Sequence, residues 1–222
     1  MTHPAAKKSP LQSRRDEEKE ERRQQILDAA ERVIRKRGWE ATNFGEIAKT
    51  ARLSRSLVYF YFPTRDDVFH AVCERGMEDL ERRFRKAVDE NPRGLDQLMA
   101  IGRAYHEFSE KEQLYFELLT VFQAREFVPD GQRPPEEQAH DHGWNCLKIV
   151  AESLARGLKD RSVRKSIGDP GASAVAIWAF THGLIQIASQ KEGMLQQYFG
   201  LSAQQALEHG FALLRTSLGT EK

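Results

Sequence analysis

An all-α fold is predicted for this chain of 222 residues, and three observations predict it. Apolar residues recur at i, i+3, i+4 spacing through most of the length. Gly, Pro and Asn-Pro signals punctuate those stripes. No succession of alternating strand-like runs and no glycine-rich phosphate loop interrupts them. The expected architecture is an N-terminal three-helix head carrying a helix-turn-helix, followed by a larger C-terminal helical domain, about nine helices in all.

Residues 1–16 are polar, contain Pro4 and Pro10, and are expected to form a disordered arm. From about Glu17 a helix follows, with Ile26, Ala29, Ala30, Val33 and Ile34 on one face and Gly38 as its stop. Asn43 is suited to cap a second helix, with Glu46 three residues on as its capping-box partner and Phe44, Ile47, Ala48 and Ala51 as the apolar stripe. A turn of about three residues leads to Ser54, a second good cap. The stretch LSRSLVYFYFPTR (53–65) fits a strand or a helix by periodicity, but it starts at a cap, lasts about two turns and is stopped by Pro63, which makes it helical. With Val58 and Phe62 turned inward at i and i+4, Arg55, Ser56 and Tyr59 share the outer face, flanked by Leu57, Phe60 and Tyr61. Thr64 caps a fourth helix whose first turn holds Asp66 and Asp67, with Val68, Val72, Leu80, Phe84 and Val88 on its apolar side. Further stripes cover 94–109, 111–127, 135–159, 171–191 and 202–217, separated by 128–131 with Pro134 and Pro135, by 168–171 and by Gly200.

Hydrophobic residues make up 40% of the chain and the formal charge is +1. Residues 1–65 hold 15 Lys/Arg against 9 Asp/Glu, and the remainder 19 against 24. A basic front suits an anionic partner such as a phosphate polymer, and equally describes a solvated charged tail. Cys73 and Cys146 lie far apart without a metal-ligand spacing, so no disulfide framework or zinc site is expected, and a reducing cytoplasm is the expected location. Residues 1–10 have no apolar segment of the secretory kind. The apolar run 174–189 is interrupted by Thr181 and His182 and falls short of the roughly 20 residues of a membrane span, so no membrane partner is expected. His140 and His142 flank Asp141, but residues two apart on a helix point away from each other, and no metal site is expected. No Ser/His/Asp ordering supports an enzyme, and no cofactor is expected.

Two short helices joined by a tight turn form the unit whose second helix enters the major groove, although ordinary helical hairpins share that outline. The stretch ILDAAERVIRKRGWEATNFGEIAKTARLSRSLVYFYFPTRDDVFHAV resembles the DNA-binding segment of TetR-family transcriptional regulators. The shared features are Ile-Leu-x-Ala-Ala, Gly-aromatic-x-Ala-Thr, x-Ile-Ala-x-x-Ala, Leu-Ser and Tyr-x-Tyr-Phe-x-x-Arg-Asp, in fixed register over a small fraction of the chain. The resemblance implies a DNA-binding domain over 17–65, its helix-turn-helix at about 43–62, and a helical ligand-binding and dimerisation domain over 66–222. Arg55, Ser56, Tyr59 and Phe60 would approach base edges or the sugar-phosphate wall, and Thr42, Tyr61 and Arg65 would hold phosphates. Asn43 and Ser54 belong to the same surface. Hydroxyls and arginine at helix starts suit phosphate oxygens, and an arginine fork can read guanine.

The chain departs from the family pattern in having Arg52 where glycine is frequent in the turn, Ser56 for a common glycine, Leu57 for threonine or serine, and Phe60 for histidine. Leu57 and Phe60 favour apolar contact, as with thymine methyl groups. The resemblance further implies a homodimer through the last two long helices, and the small residues Ala172, Ala174, Ala176, Ala179, Gly183 and Ala188 suit helix 171–191 to that role as well as to a monomer core. It also implies a small-molecule cavity, for which Tyr105, Phe108, Phe116, Phe122, Trp144, Trp178 and His182 are candidates that fit a core equally well. The functional expectation is a dimeric repressor that a small-molecule effector releases from its operator. The alternative is an architectural or protein-partnered DNA-binding regulator without an effector.

Overall fold

The computed structural model describes residues 10–124 and 134–220. Among them are ten α-helices: α1 (Pro10–Arg37), α2 (Phe44–Ala51), α3 (Arg55–Tyr61), α4 (Arg65–Asp89), α5 (Gly94–Lys111), α6 (Gln113–Gln123), α7 (Pro134–Lys159), α8 (Pro170–Gln190), α9 (Glu192–Phe199) and α10 (Ala203–Leu218). A single 3-10 turn spans Lys165–Ile167. The chain divides into two compact units at Val72 and Cys73, within α4.

The first unit is built on α1, whose Ile26, Leu27, Ala29, Ala30, Val33 and Ile34 are buried with Phe44, Ile47, Ala48 and Ala51 of α2 and Val58 of α3. Gly38 ends α1 at φ +75, a left-handed conformation that glycine adopts without strain. Residues 1–9 of the expected arm lie outside the described residues, but residues 10–16 are helical rather than disordered. The reason is local: Ser13 donates to Glu17 at 3.0 Å and Arg14 to Glu18 at 3.2 Å, one turn apart, so this part of α1 is a solvated helix supported by its own side chains. Asn43 caps α2 by accepting from the Glu46 N–H at 3.1 Å. Glu46, expected to return that bond, instead places its carboxylate 3.5 Å from Arg37. Thr64 and Asp67 make a reciprocal cap at the start of α4, the Asp67 N–H donating to Thr64 Oγ1 at 3.1 Å and the Thr64 N–H to Asp67 Oδ2 at 2.8 Å.

The second unit packs α5 against α7, α7 against α8, and α8 against α10. Close approach of α5 and α7 depends on two glycines: a Cβ at Gly94 would stand 2.1 Å from the Gly157 nitrogen. The Asp160 carboxylate receives the Gly94 N–H at 2.8 Å, and Ser162 Oγ receives that of Leu95 at 3.0 Å. The end of α10 is fastened to the same loop, the Arg164 N–H donating to Leu218 O at 2.9 Å and its Nε to Gly219 O at 2.9 Å. The expected nine helices become ten because α9 stands between the two predicted stripes at 171–191 and 202–217. The breaker at 128–131 lies outside the described residues.

Candidate nucleic-acid interface and candidate ligand cavity

The turn between α2 and α3 is three residues long and begins at Arg52, which adopts φ 57 and ψ 41. In that conformation the Arg52 N–H reaches Lys49 O at 3.2 Å and the Leu53 N–H reaches Ala48 O at 2.9 Å, closing α2. Gln25 of α1 donates to Ala51 O at 2.9 Å and holds the turn from behind. Ser54 Oγ then accepts the Leu57 N–H at 3.2 Å and starts α3.

Along α3, Val58 and the following Phe62 are buried, while Arg55, Ser56, Tyr59 and Phe60 stand on the surface. Tyr59 is 53% exposed, its ring resting edge-on at 4.6 Å from Phe44. Phe60, expected to flank the outer face, is 70% exposed and stands farther into solvent than Tyr59. Residues 58 and 62 form a narrow buried seam on a helix of under two turns, which leaves position 60 opposite it. Tyr61 is half-buried against the Phe60 ring, the two centroids 5.3 Å apart. The Arg55 guanidinium lies over Gly45 of α2, occupying the place that a Cβ there would take, at 2.3 Å from Nη2. Arg65 is exposed, donates to Trp39 O at 3.0 Å and lies 4.8 Å from the centre of the Trp39 ring. Asn43 and Ser54 are exposed with their side chains engaged as caps.

Thr42 does not join this surface. It is 2% exposed and its hydroxyl donates to Gly38 O at 2.9 Å, closing the turn after α1, so in the free chain it supports the turn instead of offering a phosphate contact. The remaining eight residues expected at DNA lie on α3 or at the starts of α2, α3 and α4.

Within the second unit lies a cavity of about 250 Å³. Its walls are Met77, Leu80 and Phe84 of α4, Leu98, Ile101, Gly102 and Tyr105 of α5, and Phe122 and Gln123 of α6. Ala139, His140, Gly143, Trp144, Cys146, Leu147 and Val150 of α7, Ile177, Trp178 and Thr181 of α8, and Leu214 of α10 complete it. None of these is Asp, Glu, Lys or Arg. Of the candidates read from sequence, Tyr105, Phe122, Trp144 and Trp178 are in the wall, with Trp144 63% exposed. Three others are not. Phe108 is sealed in the core beneath the Arg83 guanidinium, 5.7 Å from its ring centre, and Phe116 and His182 form a layer behind Tyr105, at ring separations of 5.8 and 6.1 Å. Both corrections have one cause: ring chemistry does not say which side of a helix faces a void. For the same reason Met77, Leu98, Ile101, Val150 and Thr181 carried no signal in the sequence, being spaced like any core stripe.

Burial raises the Tyr105 phenol above its ordinary range and lowers the His182 imidazole, so both are neutral near pH 7. The Tyr105 hydroxyl and His182 Nδ1 share a hydrogen bond of 2.7 Å. Burial, reinforced by the charge of Glu81, pushes the Cys146 thiol up to about 12. Burial also works to raise Glu81, but hydrogen bonds from His142, Arg85 and Asn145 outweigh it and hold the carboxyl below its ordinary range. His140 and His142 do part company, His140 stacking at 4.5 Å on Phe122 and His142 Nδ1 bonding Glu81 at 2.6 Å. No group of three metal-ligating side chains occurs among the described residues.

An apolar surface runs over the last three helices, where Val175, Phe180 and Ile187 of α8, Met194, Tyr198 and Phe199 of α9, and Leu213 of α10 are exposed. By length and composition α8 also meets the requirement for crossing a membrane, and little of it is buried within the single chain.

The family model described as "Bacterial regulatory proteins, tetR family" matches residues 26–72. The transcriptional activator FasR of Mycolicibacterium smegmatis is 30% identical over 170 residues, 77% of this chain and 70% of FasR. The regulator YfiR of Bacillus subtilis is 30% identical over 73 residues, 33% of this chain, and the match spans only 36% of YfiR. Among solved structures, the transcriptional regulator FadR of Bacillus subtilis in complex with stearoyl-CoA superposes with a TM-score of 0.67 at 15% identity, covering 87% of this chain and 98% of FadR.

Proposed function

The chain belongs to the TetR family of DNA-binding transcriptional regulators, and from that premise we propose that it is a homodimeric repressor released from its operator by a small molecule. The observation that carries the DNA half is the division of α3: Val58 and Phe62 are consumed by the core, which leaves Arg55, Ser56, Tyr59 and Phe60 free on the outside. That face offers a guanidinium for guanine, a hydroxyl for phosphate or base, and a phenyl ring for a thymine methyl. Arg65 and Tyr61 would fix the register on the backbone. Localisation to the cytoplasm follows from the same role.

The apolar surface of α8 supports the dimer. Exposed large apolar side chains gathered on one helix suit an association site, and a two-fold dimer would place two copies of α3 at half-sites about one DNA turn apart. The uncharged cavity supports the effector, by analogy with FadR, which holds stearoyl-CoA. A ligand that prefers the DNA-incompetent form shifts the population away from the operator by the difference of its two affinities.

The test is fluorescence anisotropy on DNA from the region upstream of the protein's own gene. Removing a base contact is expected to cost about 1–3 kcal/mol in each of Arg55→Ala and Tyr59→Ala, a loss of about fivefold to about 150-fold. Unchanged affinity in both variants would remove the DNA reading. FasR is an activator, so the sign of regulation is read separately, from a promoter fusion with and without the protein. A ligand-induced rise in the unfolding midpoint separates the effector reading from a regulator that answers to a protein partner.

A further inference from the structure

Thr181 is a polar residue of the cavity wall whose hydroxyl no group among the described residues engages. It lies on α8, is 4% exposed, and lines the cavity. Other buried or half-buried hydroxyls have partners: Thr42 donates to Gly38 O at 2.9 Å, Ser153 to Ile149 O at 2.9 Å and Thr120 to Phe116 O at 2.9 Å. For Thr181 no hydrogen bond occurs among the described residues, not even to the carbonyl one turn back, the usual recourse of a helical threonine. The Thr181 oxygen is not sealed away in the core but borders the void, so the hydroxyl can bond whatever occupies the cavity.

The other polar groups narrow what can enter. The Tyr105 hydroxyl is already engaged with His182 Nδ1 at 2.7 Å. Cys146 remains a neutral thiol. The wall has no lysine or arginine to receive a carboxylate or phosphate and no carboxylate to receive an amine; its one imidazole, His140, lies against Phe122 at 4.5 Å and Gln123 brings a neutral amide, so a charged ligand would lose its hydration for little return.

Resting on the effector reading and extending it, we infer that the cavity takes an uncharged, lipophilic molecule bearing one hydrogen-bond acceptor, a carbonyl or ether oxygen, which the Thr181 hydroxyl receives. Thr181 is thereby the specificity-determining residue, while Leu98, Ile101, Phe122, Val150 and Trp178 supply shape and apolar contact.

Three probes of similar size test this with the full chain: 2-acetylnaphthalene, neutral with one carbonyl; 2-ethylnaphthalene, without an acceptor; and 2-naphthoate, charged. Trp144 and Trp178 in the wall report binding by fluorescence quenching. Acetylnaphthalene should bind about fivefold more tightly than ethylnaphthalene, as one hydrogen bond provides, and at least about tenfold more tightly than naphthoate. Thr181→Val should erase the preference for acetyl over ethyl while leaving ethylnaphthalene binding intact, and Thr181→Ser should restore it. Circular dichroism confirms that each variant is folded.

Equal or tighter binding of naphthoate, survival of the acetyl preference in Thr181→Val, or failure of every neutral probe to bind the folded protein would each overturn the inference. Operator affinity, measured by anisotropy in the same samples, separates it from the reading on which it rests. Acetylnaphthalene bound as stated with operator affinity unchanged upholds the ligand class and ends the effector role for that cavity. Naphthoate bound and releasing the operator upholds the effector role and ends this ligand class.

Discussion

In the first unit the rings of Tyr59 and Phe60 stand in solvent on a seven-residue helix, whereas in the second those of Tyr105 and Phe122 close around a void. On the proposed function both units would use aromatic side chains for recognition, the head turning them outward against a partner larger than itself and the cavity inward around one smaller. The difference governs what tolerates change. An outward ring can be removed without disturbing the fold, while an inward one is wall and core together.

The sharpest way to break this comparison lies within α3. Val58→Asp would bury a carboxylate in the seam between α1, α2 and α3, and a cost of about 4–5 kcal/mol, the upper range for single substitutions, is expected to unfold the head. Phe60→Ala, two residues on, should alter stability by no more than about 0.5 kcal/mol while weakening operator binding. Urea melts followed through Trp39 against Trp144 and Trp178 report the units separately. If Phe60→Ala costs as much as a core substitution, the outward assignment of that ring is wrong.

Next in size is Gly94→Ala. Its Cβ would meet the backbone of Gly157 at 2.1 Å, and backbone cannot swing aside as a side chain can. Overpacking of this kind costs about 1–3 kcal/mol, and the Trp144 and Trp178 signals should melt earlier while that of Trp39 keeps its midpoint. A common shift of all three would show the two units unfolding as one.

The head was far more legible in the sequence than the cavity, and the reason is physical. Caps, breakers and a proline stop fix α2 and α3 to the residue, because Asn43, Ser54 and Pro63 act on the backbone within a few positions of themselves. Once the seam Val58–Phe62 was set, the outer face followed from helical geometry, apart from the degree to which Phe60 protrudes. The cavity depends instead on where six helices fail to fill space, and a leucine or valine beside a void has the same spacing as one in contact. Thr42 misled because a threonine at a helix entrance serves equally well to close the preceding turn. Two helical segments have no apolar stripe to announce them: residues 10–16 of α1, supported by side-chain bonds one turn apart, and α9, whose Met194, Tyr198 and Phe199 remain exposed.

Acid gives a test of intermediate size confined to the second unit. Glu81 in the folded chain sits below its unfolded value, so the folded state binds fewer protons, and the stability this confers is present above about pH 4.3 and lost as pH falls through the folded value. The denaturation midpoint reported by Trp144 and Trp178 should therefore fall between pH 6 and pH 3.5 more steeply in the native protein than in Glu81→Gln. Parallel profiles would mean that the bonds from His142, Arg85 and Asn145 contribute nothing to the fold.

The smallest effect sharpens the comparison most, because it concerns a strained residue in the head where none is needed for folding alone. Arg52 takes φ 57 in the turn before α3, a conformation that costs a residue with a Cβ about 1–2 kcal/mol and glycine far less. Glycine loses about 0.5–1 kcal/mol more chain entropy on folding, so Arg52→Gly should stabilise the head by under about 1 kcal/mol. Arg52 is exposed and stands two residues before the cap of α3, where removing a phosphate contact would lower the salt dependence of binding by about one counterion. A variant that is more stable, binds all sequences more weakly and shows the shallower salt slope would place Arg52 at the DNA backbone. A variant that is more stable and binds unchanged would leave the strain without a functional return.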